Sequence, residues 1–368
     1  MEFKIARDEL TKALYRAQGI VERKTTMPIL SNVLLEASRE SGLVISAFDT
    51  EIGLQSRTRC EILKDGSLAL PGRYCYDIVK ALPDPFVHVK RTPNGQVELV
   101  SGNARFKIVS TPAKDFPPLP SAPGAAFFPF AGDELLLMIE RTQFAISTDE
   151  TRYNLGGVFL EQPEGGSIRM VATDGHRLSM IERKLESPIK LERGIILPKK
   201  GLMELRRLLG DDGGPCELAL TPGSAVFRRE GVLMIIRLLE GVFPDYRQVI
   251  PKESSRTLIL KRLALLETLR RVSLIAQDKA SGVKLEVGDG CLILSSQNPD
   301  LGEAQEQIDA KVTGSPLKVG FNARYLIDVL TVLTSEEVQL DLLDDLSPGL
   351  LKPVGETGYL AVVMPMRI

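Results

Sequence analysis

Apolar and polar positions along this chain alternate with two periods, and each change of period marks an element. From Ile195 the sequence runs Ile-Ile-Leu-Pro and then turns helical. Leu202, Leu205, Leu208 and Leu209 fall on one face, with Lys199, Lys200, Arg206 and Arg207 on the other. The spacing predicts an apolar strand that stops at Pro198 and a helix that starts there, because proline fits a first helical turn. The passage recurs upstream, where Leu70-Pro71-Gly72-Arg73 leads into Ile78, Val79 and Leu82. It recurs downstream, where Phe321-Asn322-Ala323-Arg324 leads into Leu326, Ile327, Val329, Leu330 and Leu333. Arg73, Lys200 and Arg324 share one register on the three polar faces.

The two-residue period repeats as well. Asn32 to Glu36, Gly157 to Glu161 and Gly282 to Glu286 are similar strands, each 125 residues from the last. Leu43 to Asp49 matches Ile168 to Asp174 at the same offset and Leu292 to Asn298 at about one residue less. An opening helix, Asp8 to Gln18, returns as Asp133 to Gln143 with Arg16 and Arg141 in register. Leu43 to Arg59 and Val97 to Val109 around Gly102 read as antiparallel hairpins. The chain is therefore α+β, three tandem modules of two helices packed on antiparallel sheet, with expected bounds 1–120, 128–250 and 253–368. Proline-rich Thr111 to Gly132 and the stretch Gly241 to Ser255 join them, and Phe116-Pro117 is echoed by Phe243-Pro244.

With 368 residues and 43% apolar content the chain suits two or three soluble domains. No apolar run reaches membrane-spanning length and no signal-peptide core follows Met1, so a cytoplasmic location is the default and no membrane partner is expected. Cys60, Cys75, Cys216 and Cys291 lie far apart without metal-ligand spacing, which points to free thiols. The net charge of −2 hides a gradient: residues 1–120 carry 17 basic and 14 acidic side chains, residues 253–368 carry 12 and 16. A positive head and a negative tail favour head-to-tail association, and free sheet edges at the two ends would close such a pair into a ring. Chance explains differences of this size equally well.

Candidate chemistry is sparse. Thr173-Asp174-Gly175-His176-Arg177-Leu178 sets a carboxylate beside one of only two histidines, with Ser179 next. A nucleophile-base-acid relay draws on separated segments, however, and an Asp-Gly turn with surface His and Arg is the plainer reading. Asp149-Glu150, Asp211-Asp212 and Asp344-Asp345 read as solvated loop charges, so no metal and no cofactor is expected. At the C-terminus Tyr359 to Val363 is a strand ended by Pro365, and the Met364-Pro365-Met366 segment suits a groove for short peptides or, equally, a strand tucked into its own core.

Thr173 to Leu178, Phe243-Pro244-Asp245-Tyr246-Arg247 and Val363-Met364-Pro365-Met366-Arg367, with Met27 to Leu30 and Leu197 to Gly201, together resemble the bacterial sliding clamp family, the beta subunit of DNA polymerase III. The resemblance spans the whole chain. It implies a head-to-tail homodimer forming a ring of six similar domains around double-stranded DNA, without catalytic activity. Its implied partners are the clamp loader, the replicative DNA polymerase and other proteins carrying a short clamp-binding peptide. It implies a peptide pocket at Arg152, Leu155, Thr173, Gly175, His176, Arg177, Leu178, Pro244, Val249, Leu346, Pro348, Val362, Met364, Pro365 and Met366. It further implies DNA contacts at Lys24, Arg73, Lys199 and Lys200, with Arg23, Arg141 and Arg207 as further candidates. At the subunit interface Phe106 and Ile108 would meet Leu274 and Ile275, with Glu303 and Glu306 supplying negative charge. Gln248, where some clamps carry arginine, and Asn154, where some carry tyrosine, depart from the family pattern. The sequence also admits two rivals: a linear peptide-binding adaptor that never encircles DNA, and a hydrolase centred on Asp174, His176 and Ser179.

Overall fold

The computed structural model describes residues 1–21, 27–163, 165–185, 191, 193–210, 213–276 and 282–367. The described residues hold six α-helices, two per repeat: Arg7–Gln18, Gly72–Ala81, Gly132–Thr142, Lys199–Leu209, Arg262–Val272 and Ala323–Val332. They start where the sequence places them. Pro71 and Asn322 stand at two N-caps, and the Asn322 side chain accepts a hydrogen bond from Arg324 N at 2.9 Å. Every described strand pair is antiparallel, as the alternating pattern predicts.

Compactness divides the chain differently from the repeat. One unit comprises Met1–Asp133 with Lys200–Leu238, the other Glu134–Lys199 with Leu239–Ile368. In the first unit an eight-stranded sheet runs Phe128–Phe130, Cys216–Thr221, Ser224–Arg229, Val232–Arg237, Ile52–Thr58, Gly42–Phe48, Asn32–Ser38, Gly66–Pro71. Strands of the central repeat thus extend the sheet of the first, through Met234 opposite Leu54. A five-stranded sheet in the same unit ends on the outer strand Ala104–Val109. In the second unit Gly157–Glu161, Ser167–Thr173 and Arg177–Lys184 are extended by Tyr359–Val363, Gly349–Pro353, Glu337–Leu342 and Arg256–Lys261. Its other sheet has four strands and ends on Gly302–Asp309.

The helix Lys199–Leu209 buries Leu202, Leu205 and Leu209 and leaves Leu208 half-buried. Gly201 sits so close to the sheet that a Cβ there would lie 2.5 Å from Ile236 Cγ2. Its polar face is not uniformly free. Arg207 donates to the carbonyls of Tyr15 and Arg16 at 2.5 and 2.6 Å, which ties this helix to Arg7–Gln18 and takes its charge away from any ligand.

Arg141 likewise corrects its sequence expectation. Although it matches Arg16 in register, its side chain is only 2% exposed: both terminal nitrogens bond Glu356, and the guanidinium lies 5.1 Å over the Tyr359 ring. Arg183 joins the cluster, reaching Glu134 at 3.1 Å and Glu356 at 2.5 Å. Burial raises the Glu356 carboxyl, but the hydrogen bonds and charges of Arg141 and Arg183 outweigh it and hold the group below its ordinary value. A carboxyl depressed by folding stabilises the native state above its unfolded pKa of about 4.3 and loses that contribution as pH falls through the folded value. The urea midpoint is therefore expected to drop below about pH 4. Glu356→Gln, weaker at pH 7 because Arg141 is left unpaired, should show a shallower acid slope. An equal slope in both proteins would contradict the assignment.

Candidate functional site

The strand Ser167–Thr173 ends in a turn that its own side chains hold. Asp174 Oδ1 accepts the amides of His176 and Arg177 at 2.9 and 3.0 Å. Thr173 Oγ1 accepts Gly175 N at 3.1 Å and donates to Arg177 O at 2.7 Å. Gly175 has φ of +89°, a conformation open to glycine, and the turn leaves Gly175 and His176 exposed. The next strand pairs with the C-terminal strand, Arg177 opposite Val363 and Leu178 opposite Val362. The pairing carries on past the strand end, where Met364 N donates to His176 O at 2.9 Å, and the tail is then held by another strand, Met366 N donating to Gly320 O at 2.9 Å.

A concave surface forms around this seam. Leu155, Leu178 and Val362 belong to one buried cluster with Val171, Ile196, Phe243, Tyr246 and Leu350. On one side the segment after Phe243 presents exposed Pro244 and Val249. On the other the Asp344 carboxylate accepts the amides of Leu346 and Ser347, at 2.9 and 2.6 Å, and presents exposed Leu346 and half-buried Pro348. Between them a cleft of ≈ 450 Å³ is lined by Val249, Ile250, Pro348 and Met364, with Gln248 and Ser347 at its polar edge. Pro365 and Met366 are half-buried beside it. Exposed Arg152 bonds Asp149 at 2.9 Å, and one of its terminal nitrogens lies 2.8 Å from where a Gly175 Cβ would stand. The two departures from the family pattern are engaged locally: Asn154 donates to Val242 O at 2.9 Å, and Gln248 to Asp245 at 3.0 Å.

Arg177 does more than the sequence predicts. Its Nε reaches Asp174 at 3.0 Å, Nη1 reaches Asp328 at 2.5 Å and Nη2 reaches Phe144 O at 2.6 Å, while its plane lies 4.5 Å from the Tyr325 ring centre. Tyr325 also stacks on His176, centroids 6.4 Å apart. The sequence carries no signal for Asp328, Tyr325 and Phe144, because contacts made across 33 to 151 residues leave no local pattern. The hydrolase geometry does not form. Ser179 is fully buried, donates to Arg141 O and shares a 3.1 Å hydrogen bond with the Tyr359 hydroxyl, while Asp174 is occupied by turn amides and Arg177. Among the described residues no group of three His, Cys, Asp or Glu is placed to hold a metal.

The cationic candidates differ in what they offer. Arg73 is half-buried on the first turn of Gly72–Ala81, and Lys199 is exposed. Lys200 lies 2.5 Å from the wholly buried Asp49 carboxylate, so much of its charge is compensated. Lys24 and Arg23 lie outside the described residues. At the ends of the chain, Phe106 and Val109 are exposed and Ile108 half-buried on the outer strand Ala104–Val109. Leu274 is 77% exposed and Ile275 half-buried just past Arg262–Val272, the helix that packs on the outer strand Gly302–Asp309. Glu303 is exposed there, whereas Glu306 bonds Thr268 and Arg271, and the Arg271 contact holds its carboxyl below the ordinary value.

Three family profiles cover almost the whole chain: DNA polymerase III beta subunit, N-terminal domain (residues 1–120), central domain (130–245) and C-terminal domain (247–367). The sequence is 36% identical over 371 residues to the beta sliding clamp of Pseudomonas putida and 34% over 374 residues to that of Caulobacter vibrioides, with both chains covered completely in each case. Among solved structures, the sliding clamp of Pseudomonas aeruginosa bound to griselimycin superposes with a TM-score of 0.94 at 34% identity over 100% of both chains. The DNA polymerase sliding clamp of Bacillus subtilis does so with 0.95 at 29%, over 100% of this chain and 99% of that one.

Proposed function

This chain belongs to the DNA polymerase III beta subunit family, and from that premise we propose that it is a non-catalytic processivity factor that encircles duplex DNA and tethers the replicative polymerase through a peptide groove. The observation that carries the groove is the pairing of Arg177–Lys184 with Tyr359–Val363, which sets the exposed Gly175-His176 turn beside Met364 over an apolar floor. The griselimycin complex of the Pseudomonas aeruginosa relative is consistent with it. The groove comprises Arg152, Leu155, Thr173 and Gly175 to Leu178, the walls Pro244, Val249, Leu346 and Pro348, and the tail Val362 with Met364 to Met366. Arg177 acts within it as a frame.

The modules 1–120, 128–250 and 253–368 form half a ring, and two copies associate head to tail. The outer strand with exposed Phe106 between basic Arg105 and Lys107, and half-buried Ile108 next, suits the edge where Glu303 is exposed beside Leu274 and Ile275, with Glu306 already shared with Arg271. Arg73 and Lys199 face the DNA and touch phosphates diffusely so that the ring slides; Lys200, shared with Asp49, adds less, and Lys24 is assigned by family resemblance alone. A loader opens the ring, and the protein works in the cytoplasm. No helix among the described residues is long and apolar enough to cross a membrane.

Removal of residues 364–368 tests the groove. A fluorescent peptide with the clamp-binding segment of the replicative polymerase should lose measurable affinity, while sedimentation still gives the mass of a dimer. Unchanged affinity would overturn the assignment.

A further inference from the structure

The two module junctions carry the same row of residues across their sheets, and the two rows differ chemically. In the second unit Glu161 lies opposite Arg169 and Arg169 opposite Glu182, the row ending where Glu182 N donates to Gly358 O at 2.7 Å. In the first unit, 125 residues earlier, Glu36 lies opposite Val44 and Val44 opposite Arg57, the row ending where Arg57 N donates to Gly231 O at 2.9 Å. The segments that follow also correspond in sequence, Phe116 to Leu119 against Phe243 to Tyr246, and the first packs beside its row, on Leu34 and Phe48. The first junction has valine and leucine where the second has arginine and tyrosine.

Among the described residues the second row builds a polar fastening. Arg169 Nη1 donates to Tyr246 Oη at 2.8 Å and to Glu161 at 2.9 Å, and its other nitrogens reach Glu182 at 3.0 and 2.6 Å. Tyr246 donates to Glu161 at 2.5 Å, Arg247 reaches the same carboxylate at 2.9 Å, and Phe243 stacks on Phe159 with centroids 4.9 Å apart. Burial and the Glu161 contact push the Tyr246 phenol up to about 12, so it stays a donor. The segment so fixed carries Pro244 and the cleft residues Gln248, Val249 and Ile250. Closing a junction does not require this cluster, since at the first one Leu119 packs with Phe116 and Pro120 covers Gly53.

We propose that Arg169, with Glu161, Glu182 and Tyr246, is a positioning residue of the peptide groove: it holds the wall segment in its binding geometry before a partner arrives. This rests on the groove reading above. Ordering a loose wall on binding lowers affinity, and a fixed wall avoids that loss.

The test uses the full-length dimer and the fluorescent polymerase peptide. Arg169→Met should weaken binding by about tenfold, the scale of a hydrogen-bond set on a charged group, and speed hydrogen exchange of the 247–250 amides. Arg169→Lys should regain part of the affinity. Arg229→Met, which removes a buried guanidinium from the other unit, should lower stability and leave affinity alone. If Arg169→Met fails to fold, Tyr246→Phe should still weaken binding about threefold. Unchanged affinity in the variants that fold, or an equal loss in Arg229→Met, would overturn the positioning role. Absence of binding by the unmodified protein would instead overturn the groove itself.

Discussion

Arg177→Ala should lose peptide binding and unfold at markedly lower urea. The side chain is 10% exposed and joins Asp174, Asp328 and the Phe144 carbonyl while lying against Tyr325. Its removal leaves the carboxylates of Asp174 and Asp328, both partly shielded from water, without the cation they share. Breaking such a pair costs about 3–5 kcal/mol when fully buried. Because Asp328 keeps 29% of its side-chain surface, the lower end, about 3 kcal/mol, applies here. Groove geometry is lost with it, since the same guanidinium pins the turn that presents Gly175 and His176, and a hot-spot loss above about 2 kcal/mol is expected. Arg177→Lys should recover only part of either loss, because an ammonium cannot serve partners in three directions and stack as well. Urea unfolding and a peptide titration check both, and a lysine variant equal to the unmodified protein would contradict the role of Arg177 as the frame of the groove.

Phe106→Asp should convert the dimer to monomers. The ring stands exposed on the outer strand Ala104–Val109, where an unpaired edge and an apolar surface coincide. Loss of an aromatic anchor at an interface costs about 2–4 kcal/mol, which raises the dissociation constant about 30- to 1000-fold. At the proposed interface a new carboxylate would also meet the acidic edge that carries Glu303 and be repelled. Sedimentation velocity at micromolar concentration should show a single-chain mass with helix and sheet content retained. A persistent dimer would place the interface elsewhere.

The repeat, the helix faces and the junction echo were legible because they are local patterns seen more than once. Ile195–Pro198 followed by Lys199–Leu209 forms as the apolar spacing requires. The joining of strands across module boundaries was not legible: Arg177 meets Val363, and Val232 meets Ser56, and pairings so distant leave no periodic trace. The same limit governs the charges. Arg141 and Lys200 look like free cations in sequence, but their carboxylate partners Glu356 and Asp49 lie more than a hundred residues away. The groove residues came from family resemblance, and the surface that Pro244, Val249 and Met364 share appears only once the tail strand is seated.

The most direct test of the central claim is retention on circular DNA. The protein is loaded onto a nicked circle with its loader and ATP, the free protein is removed, and the circle is then cut once. A topological ring stays on the closed circle at salt that screens phosphate contacts and leaves after linearisation, because a threaded duplex releases it only at an end. Protein that remains bound to the linear DNA, or that leaves the intact circle equally fast, would contradict encirclement.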